Sequence, residues 1–530
     1  FFSPPTPPHP ILSGLVGSEM CIRDRIINYK HLENIYMENL SEDRIIKDRL
    51  EKLEKLRKLK IDPYPNRWEK DRTIIHDAIT AYDDSNESAN SKQLCISGRI
   101  IAKRAMGKII FFDIKDQSGK IQLHYKEEES EINKDFLDLI DIGDIVGVEG
   151  HLFRTRRGEL TLDLHDIVIL TKAIRPLPDK WSGLKDNEIR YRQRYLDLIS
   201  NEESLEIAVK RSKAISSVRN FMNNRGFLEV ETPILVDIPA GGRAIPFSTY
   251  HESLEKDLFL RIATELHLKK LIVGGIEKVY EIGRLFRNEG IDHDHNPEFT
   301  TMESYEAYED YNTVMRMVED LVSYVSIEVN GTTKINISDD LTIDLAPPWQ
   351  RLDLRKAIID NTGIDFLKFK NNNDLANEMK NKGFVADQNE AWGILLDRLI
   401  SQGVEPKLIK PTFLLDYPIE MSPLAKLKPG SKDVVERFEA FVLGHELANA
   451  FTELNDPIDQ RNRFLEQEKQ RKNLGDKEAD RLDEDFLISI EHGMPPTGGL
   501  GIGIDRLIML ITAQDQIREV LLFPQLRSKK

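Results

Sequence analysis

The sequence predicts an α+β protein: a small barrel of short strands followed by a larger domain in which strands and helices are mixed. Three observations carry this expectation. Residues 94–170 break into five short strand-like runs with one helical stretch between the third and fourth. From about residue 201 to 530, strand-like and helix-like segments alternate. A charged, proline-containing stretch at 173–200 separates the two regions.

The chain has 530 residues, enough for two or three domains. Its hydrophobic fraction of 40% and charged fraction of 31% fit a globular protein. No apolar run approaches the roughly 20 residues needed to span a bilayer, so no membrane partner is expected. Formal net charge is −16, so any nucleic-acid site must be a local basic face in a repelling field. The two cysteines, Cys21 and Cys95, are too few for a disulfide framework or a thiolate zinc cluster. A reducing, cytoplasmic setting is the default.

Residues 1–36 are read as a non-native leader. Positions 1–10 are proline-rich, and 14–25 resemble translated sequencing-adapter read-through. A signal peptide is disfavoured because no basic residue precedes the short apolar run 11–16. Met37 is a plausible start. Residues 37–90 form an N-terminal helical extension. Ser41 can cap a helix through Leu50, Leu53, Leu56 and Leu59, which Asp62-Pro63-Tyr64-Pro65 would stop. Residues 82–93 are polar and read as a connector.

Within 91–172, strands are expected at 95–101, 109–114, 121–125, 145–150 and 160–164, with a helical break near 136–140. That order is the pattern of an OB-fold barrel. Phe111 and Phe112 are neighbours in the second run. Strand faces alternate, so Phe112 can be core while Phe111 points out. Arg99, Lys103, Arg104, Lys108, Lys115 and Lys120 supply a local basic face.

The chemistry concentrates in the larger domain. Arg284-Leu285-Phe286-Arg287-Asn288-Glu289-Gly290, followed by His295-Asn296-Pro297-Glu298-Phe299, sets cationic, acidic, imidazole and aromatic groups close together. Such groups can hold a nucleoside triphosphate: guanidinium for phosphate oxygens, a ring face for a base. Gly498-Gly499-Leu500-Gly501-Ile502-Gly503-Ile504-Asp505-Arg506 lets backbone approach a ligand, then opens an apolar helical pattern. A helix N-terminus is itself an anion site. Glu446 and Glu453 are seven apart, which is one face of a helix. On a regular strand they would face oppositely unless a bulge intervened, and the residues leave both readings open. Asp456-Pro457 can start a helix to about Gly475.

Together these segments resemble the second and third signature motifs of the class II aminoacyl-tRNA synthetases, over nearly the whole chain from Met37. The resemblance implies a catalytic domain at 201–530, an antiparallel sheet flanked by helices with a helical insertion near 355–410, and an anticodon-binding OB domain at 91–172. It implies that Arg287 and Arg506 are catalytic. ATP would be held by Arg287, Glu289, His295, Asn296, Phe299, Glu446, Gly503 and Arg506, with Mg²⁺ on Glu446 and Glu453. The pocket positions Gly241, Glu265, Glu303, Tyr305 and Asn455 match those of the lysine-specific members. The loop 238–247 departs slightly from the family's usual Pro-Gly-Gly-Ala order. Arg104, Phe111, Gln122 and Glu159 match anticodon-reading positions, and Pro233 matches the first signature motif, which builds a homodimer interface. The implied reaction joins L-lysine to the lysine tRNA through lysyl-adenylate, using ATP. Two rivals share parts of this pattern: an aspartyl- or asparaginyl-type enzyme, disfavoured by Glu265 and Glu303, and a non-catalytic RNA-binding protein, disfavoured by the intact Arg287 and Arg506.

Overall fold

A computed structural model describes residues 44–85, 92–178, 184, 186–474 and 482–527. Residues 1–36, with Cys21 among them, and Met37 and Ser41 lie outside them. The chain divides into two compact units, residues 1–182 and 183–530.

In the first unit, helix α1 (Arg44–Lys58) buries Ile46, Leu53 and Leu56. The expected stripe stops there, because Leu59 is exposed. Arg49 is also buried, and its guanidinium donates to the carbonyls of Ile142, Ala173 and Arg175. A charge-assisted bond to carbonyls satisfies the buried donors. Strands β1 (Leu94–Met106), β2 (Ile109–Lys115), β3 (Lys120–Lys126), β4 (Ile145–Arg154) and β5 (Leu160–Thr171) close a barrel in the order β1-β2-β3-β5-β4. A short helix, Lys134–Leu137, lies between β3 and β4. This is the five-stranded OB arrangement. Alternation decides the faces: Phe112, Ile114, Leu123 and Leu162 enter the core, while Phe111 is only half-buried. Gly150 is required where β4 crosses β5, since a Cβ there would lie 1.9 Å from the Asp163 carbonyl oxygen.

The second unit is built on an eight-stranded sheet. Its strands are β6 (Leu228–Glu229), β10 (Lys278–Phe286), β11 (Glu298–Ala307), β14 (Gln350–Asp353), β15 (Thr412–Leu415), β16 (Arg437–Val442), β17 (His445–Thr452) and β18 (Thr497–Gly503). Their order is β14-β15-β16-β17-β18-β11-β10-β6. The run from β15 to β10 is antiparallel, and the two edges, β14–β15 and β10–β6, pair in parallel. A three-stranded sheet of β7 (Leu235–Val236), β8 (Ser248–His251) and β9 (Lys256–Leu260) and a ribbon of β12 (Lys334–Ser338) and β13 (Leu341–Asp344) complete the strands described.

One face of the large sheet packs on helices α2 (Glu202–Asn224), α4 (Tyr311–Asn330) and α5 (Ile504–Thr512), with Met302, Ala448, Ala450, Leu500 and Ile502 as the sheet's share of the core. Each fully buried Leu or Ile contributes roughly 1.5–3 kcal/mol. Three helices at Leu354–Thr362, Asn372–Asn381 and Trp392–Gly403 form a separate apolar cluster with Leu414 and Phe441. Helix α3 (Glu265–Val273) packs on the other face of the sheet, where Tyr305 meets Leu266 and Leu268.

Candidate functional site

The face of the sheet turned away from α2 and α4 carries the chemistry, and strand alternation puts it there. On β11, Met302 enters the helix-side core, so Phe299, Thr301, Glu303 and Tyr305 point the other way. On β18, Leu500 and Ile502 face the core, and Gly499, Gly501 and Gly503 face the site. The glycines differ in what they allow. A Cβ on Gly499 would lie 1.8 Å from Glu453 Oε1 and 2.8 Å from Tyr305 Cε1, so protein already fills that space. A Cβ on Gly501 would meet nothing closer than 3.8 Å. Only Gly501 and Gly503 leave floor open to a ligand.

Two arginines flank the start of β11. Leu285 on β10 pairs with Phe299, and Gly503 on β18 pairs with Thr301. Arg287 follows the end of β10 and Arg506 follows the end of β18. Both strands run antiparallel to β11, so the two arginines leave the sheet at the same end, where β11 begins. The Arg287 guanidinium lies 5.3 Å from the Phe299 ring centroid, and Gly242 has its missing Cβ 3.9 Å from Arg287 Nη2. Arg287 Nε is buried without a hydrogen-bond partner. Arg506 Nη1 donates to the Glu446 carbonyl at 2.7 Å and pairs with its carboxylate at 3.3 Å, and Nη2 lies 3.5 Å from His295 Nε2. Asp505 fixes the start of α5: its carboxylate accepts from Thr300 N at 2.7 Å and pairs with Arg211 at 2.6 Å.

Beside Arg287 lies an acidic pocket. Gly241 has φ +91°, and a Cβ there would sit 3.2 Å from the Cβ atoms of both Ala263 and Glu265. Glu303 Oε1 accepts from Thr264 N at 3.2 Å, and Tyr305 donates its hydroxyl to Oε2 at 3.4 Å. Burial, with the neighbouring Glu265 charge, pushes the Glu303 carboxyl up to about 7. Burial likewise raises the Tyr305 phenol, helped by Glu265 and Glu303. Lys269 is fully buried; it pairs with Glu265 at 2.5 Å and with Glu453. Burial opposes its charge, and the two carboxylates more than offset that. The Glu453 carboxyl is pushed well up by burial, against the pull of Lys269.

Glu446 and Glu453 lie on and just beyond one strand, and a bulge reconciles them with one face. Phe441 pairs with Glu446 but Ala440 pairs with Ala448, so Leu447 is the extra residue. Leu447 and Ala448 both enter the helix-side core, which leaves Glu446, Asn449, Phe451 and Glu453 on the site face. The two carboxylates are not equivalent there. Glu446 is 40% exposed at its side chain, whereas Glu453 is enclosed against Lys269.

Residues 186–527 match the family described as tRNA synthetases class II (D, K and N), and residues 94–170 match the OB-fold nucleic acid binding domain. A lysine–tRNA ligase of Dehalococcoides mccartyi is 49% identical over 493 residues, covering 93% of this chain and 99% of that protein. Those of Pelotomaculum thermopropionicum and Carboxydothermus hydrogenoformans are 48% and 47% identical, each over 93% of this chain and over 96% and 100% of their own lengths. The chain belongs to the lysine–tRNA ligase family of class II synthetases.

Several residues that the family resemblance singled out have protein partners here. Asn296 is buried; its amide donates to the Glu298 carbonyl and accepts from Gln525 N at 3.1 Å, tying the loop to the C-terminal segment. Asn455 accepts from Lys426 at 2.5 Å and donates to the Met494 carbonyl at 3.0 Å. Glu289 is exposed, and His295 bonds Asp292 at 2.9 Å. Asp456 accepts from the amides of Ile458 and Asp459 at the head of the helix Pro457–Leu474.

On the barrel of this ligase-family chain, Arg104 stands opposite Phe111, and Gln122 stands between Asp113 and Thr161. These three therefore share the outward face, with exposed Glu159 just before β5. The expected basic face is weaker than its residue count. Arg99 and Lys103 turn inward to backbone carbonyls, and Arg104 and Lys108 pair with Asp113 and Glu128. Burial also lowers the Lys103 ammonium's pKa. Glu281, opposite Glu303 and paired with Arg261 at 2.5 Å, and Lys269 were not singled out from the sequence. The one available hint for Lys269 was its i,i+4 spacing from Glu265.

Proposed function

We propose that the chain is a lysine–tRNA ligase whose active site is the sheet face just described. The observation that carries this reading is the buried, unpartnered Arg287 Nε standing beside the Glu265–Glu303 pocket, with Gly241-Gly242 between them. A cationic group awaiting an oxyanion, next to a buried carboxylate at Glu303 with no cation in contact among the described residues, suits an amino acid with an extra ammonium group meeting a polyphosphate.

In this reading the lysine carboxylate attacks the α-phosphorus of ATP, and pyrophosphate leaves. The terminal ribose hydroxyl of the lysine tRNA then attacks the lysyl carbonyl, and AMP leaves. Arg287 holds the lysine carboxylate and the α-phosphate together, which supplies positioning and charge neutralisation without a side-chain nucleophile. Adenine stacks on Phe299. Glu289 and His295 flank the nucleotide, Gly503 gives it room, and Arg506 meets its outer phosphates. Asn296 holds the loop in place beside the nucleotide. Glu265, Glu303 and Tyr305, with the Gly241 carbonyl and Asn455, receive the two ammonium groups.

Mg²⁺ would be held by Glu446 with phosphate oxygens, where it would neutralise charge on the triphosphate. Glu453 fits that role only if it releases Lys269. The outward face of Arg104, Phe111, Gln122 and Glu159 would read the anticodon, with Phe111 stacking a base. Pro233 is exposed beside Leu228, Ile234 and Leu235, which are about half exposed, and we assign this apolar edge to a second copy of the chain. Among the described residues no helix is long and apolar enough to cross a membrane. A cytoplasmic setting, where ATP and tRNA meet, completes the proposal. Pyrophosphate exchange into ATP across a panel of amino acids tests it. Lysine alone should drive exchange; aspartate- or asparagine-driven exchange, or none, would overturn it.

A further inference from the structure

We propose that His151, Asp163 and His165 form a binding site for a zinc-class divalent cation on the outer face of the barrel. β5 turns Leu162 and Leu164 into the core and thereby turns Asp163 and His165 out. Asp163 stands opposite His151 on β4 and opposite His124 on β3. A bulge between Glu149 and Gly150 on β4 leaves His165 unpaired across the strands, so it leans over the same patch. The rings of His151 and His165 are edge-to-face, with centroids 4.7 Å apart.

One ligand atom from each of His151, Asp163 and His165 lies within 4.8 Å of the other two. Bonds of about 2.0–2.2 Å in a tetrahedral zinc site bring donor atoms to roughly 3.3 Å. Closing that gap asks for side-chain rotation only, and none of the three is buried in the core. Two imidazoles and one carboxylate suit zinc rather than magnesium, which prefers oxygen donors. A second layer is present as well. Asp163 Oδ1 is held by His124 Nδ1 at 2.8 Å, which leaves Oδ2, 4.0 Å from His151 Nε2, turned toward the site. His124 is itself wedged between Phe111 and Phe153, at 5.4 and 5.6 Å between ring centroids. A carboxylate oriented through its other oxygen is how metal ligands are usually fixed. His124 is thus a positioning residue, and the fourth coordination position faces solvent.

The alternative is a plain hydrogen-bonded patch of histidines around one carboxylate, which would hold no stoichiometric metal. The full-length chain, stripped with chelator and kept in saturating Mg²⁺ to occupy oxygen-rich sites, is titrated with zinc and with cobalt(II). We expect a single zinc equivalent and a visible cobalt d–d band. The double variant His151→Ala/His165→Ala should lose both. His124→Ala should retain the band with affinity about 10–100-fold weaker. Circular dichroism checks the fold. Should the double variant unfold, His165→Ala alone, at an exposed position, must weaken zinc binding by a similar factor. Absence of zinc binding, or binding unchanged in the folded variant, would overturn the proposal.

Discussion

The Lys269 ammonium lies 2.5 Å from the Glu265 carboxylate one helical turn earlier, and both side chains are shut away from water. Glu453 closes the cluster from the end of β17. An internal lysine thus neutralises part of the pocket, and Glu303 is left with no cation in direct contact beyond the field of Arg287.

Replacing Lys269 should therefore cost more than a lost methylene stem. Lys269→Met leaves two buried carboxylates facing each other, and the expected loss is about 3–5 kcal/mol, read from the denaturant midpoint. Adding Glu453→Gln should restore part of that loss. An unchanged midpoint in Lys269→Met would show that the cluster contributes nothing.

Glu303 gives the pocket a pH dependence. Its folded-state carboxyl titrates near 7, above the ordinary glutamate range. An arriving ammonium favours the ionised form and lowers that value. Lysine binding should then release protons below about pH 7 and few above it, and its KM should fall as pH rises through 7. Calorimetry in buffers of differing ionisation enthalpy reads the proton count. In Glu303→Gln the pH-dependent part should vanish along with most of the affinity.

The same elevation acts on stability. Between about pH 4.5 and 7 the unfolded chain gives up the Glu303 proton while the folded chain retains it. Stability from this group is full below that window and declines across it, by about 3 kcal/mol over a shift of that size. Glu303→Gln should flatten this part of the stability–pH curve measured by denaturant titration.

Neighbouring glycines on β18 should respond differently. Gly499→Ala puts a methyl 1.8 Å from Glu453 Oε1 and should lower stability by about 1–3 kcal/mol or more. Gly501→Ala meets only ordinary contacts and should fold like the parent. Its methyl stands on the open floor, so KM for ATP should rise while the unfolding midpoint stays put.

Gly241→Ala tests the loop against Glu265. Its φ of +91° disfavours alanine, and the new methyl presses on Ala263 and Glu265 at 3.2 Å. We expect kcat/KM for lysine to drop on the order of 10–100-fold through misplacement of the pocket. Steady-state exchange kinetics check it.

Period-2 alternation is local, and the glycines alternating with Leu500 and Ile502 carry it, but at 498–503 only the room that glycine leaves for a ligand was read from the sequence, not the strand. Phe111 and Phe112 divide inside from outside by the same rule. The Glu446–Glu453 spacing was not legible, because a single extra residue at Leu447 changes which faces they share, and a bulge has no strong local signature. Lys269 looked like any helical surface cation until α3 was docked on the sheet. The basic face was overcounted because charge along a strand does not tell which cations turn inward to carbonyls.

Lysine-dependent exchange of pyrophosphate into ATP, by the parent chain beside Arg287→Ala, addresses the nucleotide site most directly. The parent should exchange with lysine, and the variant should fold with an unchanged unfolding midpoint yet lose exchange. Undiminished exchange in folded Arg287→Ala would contradict the role given to that guanidinium and the site built around it.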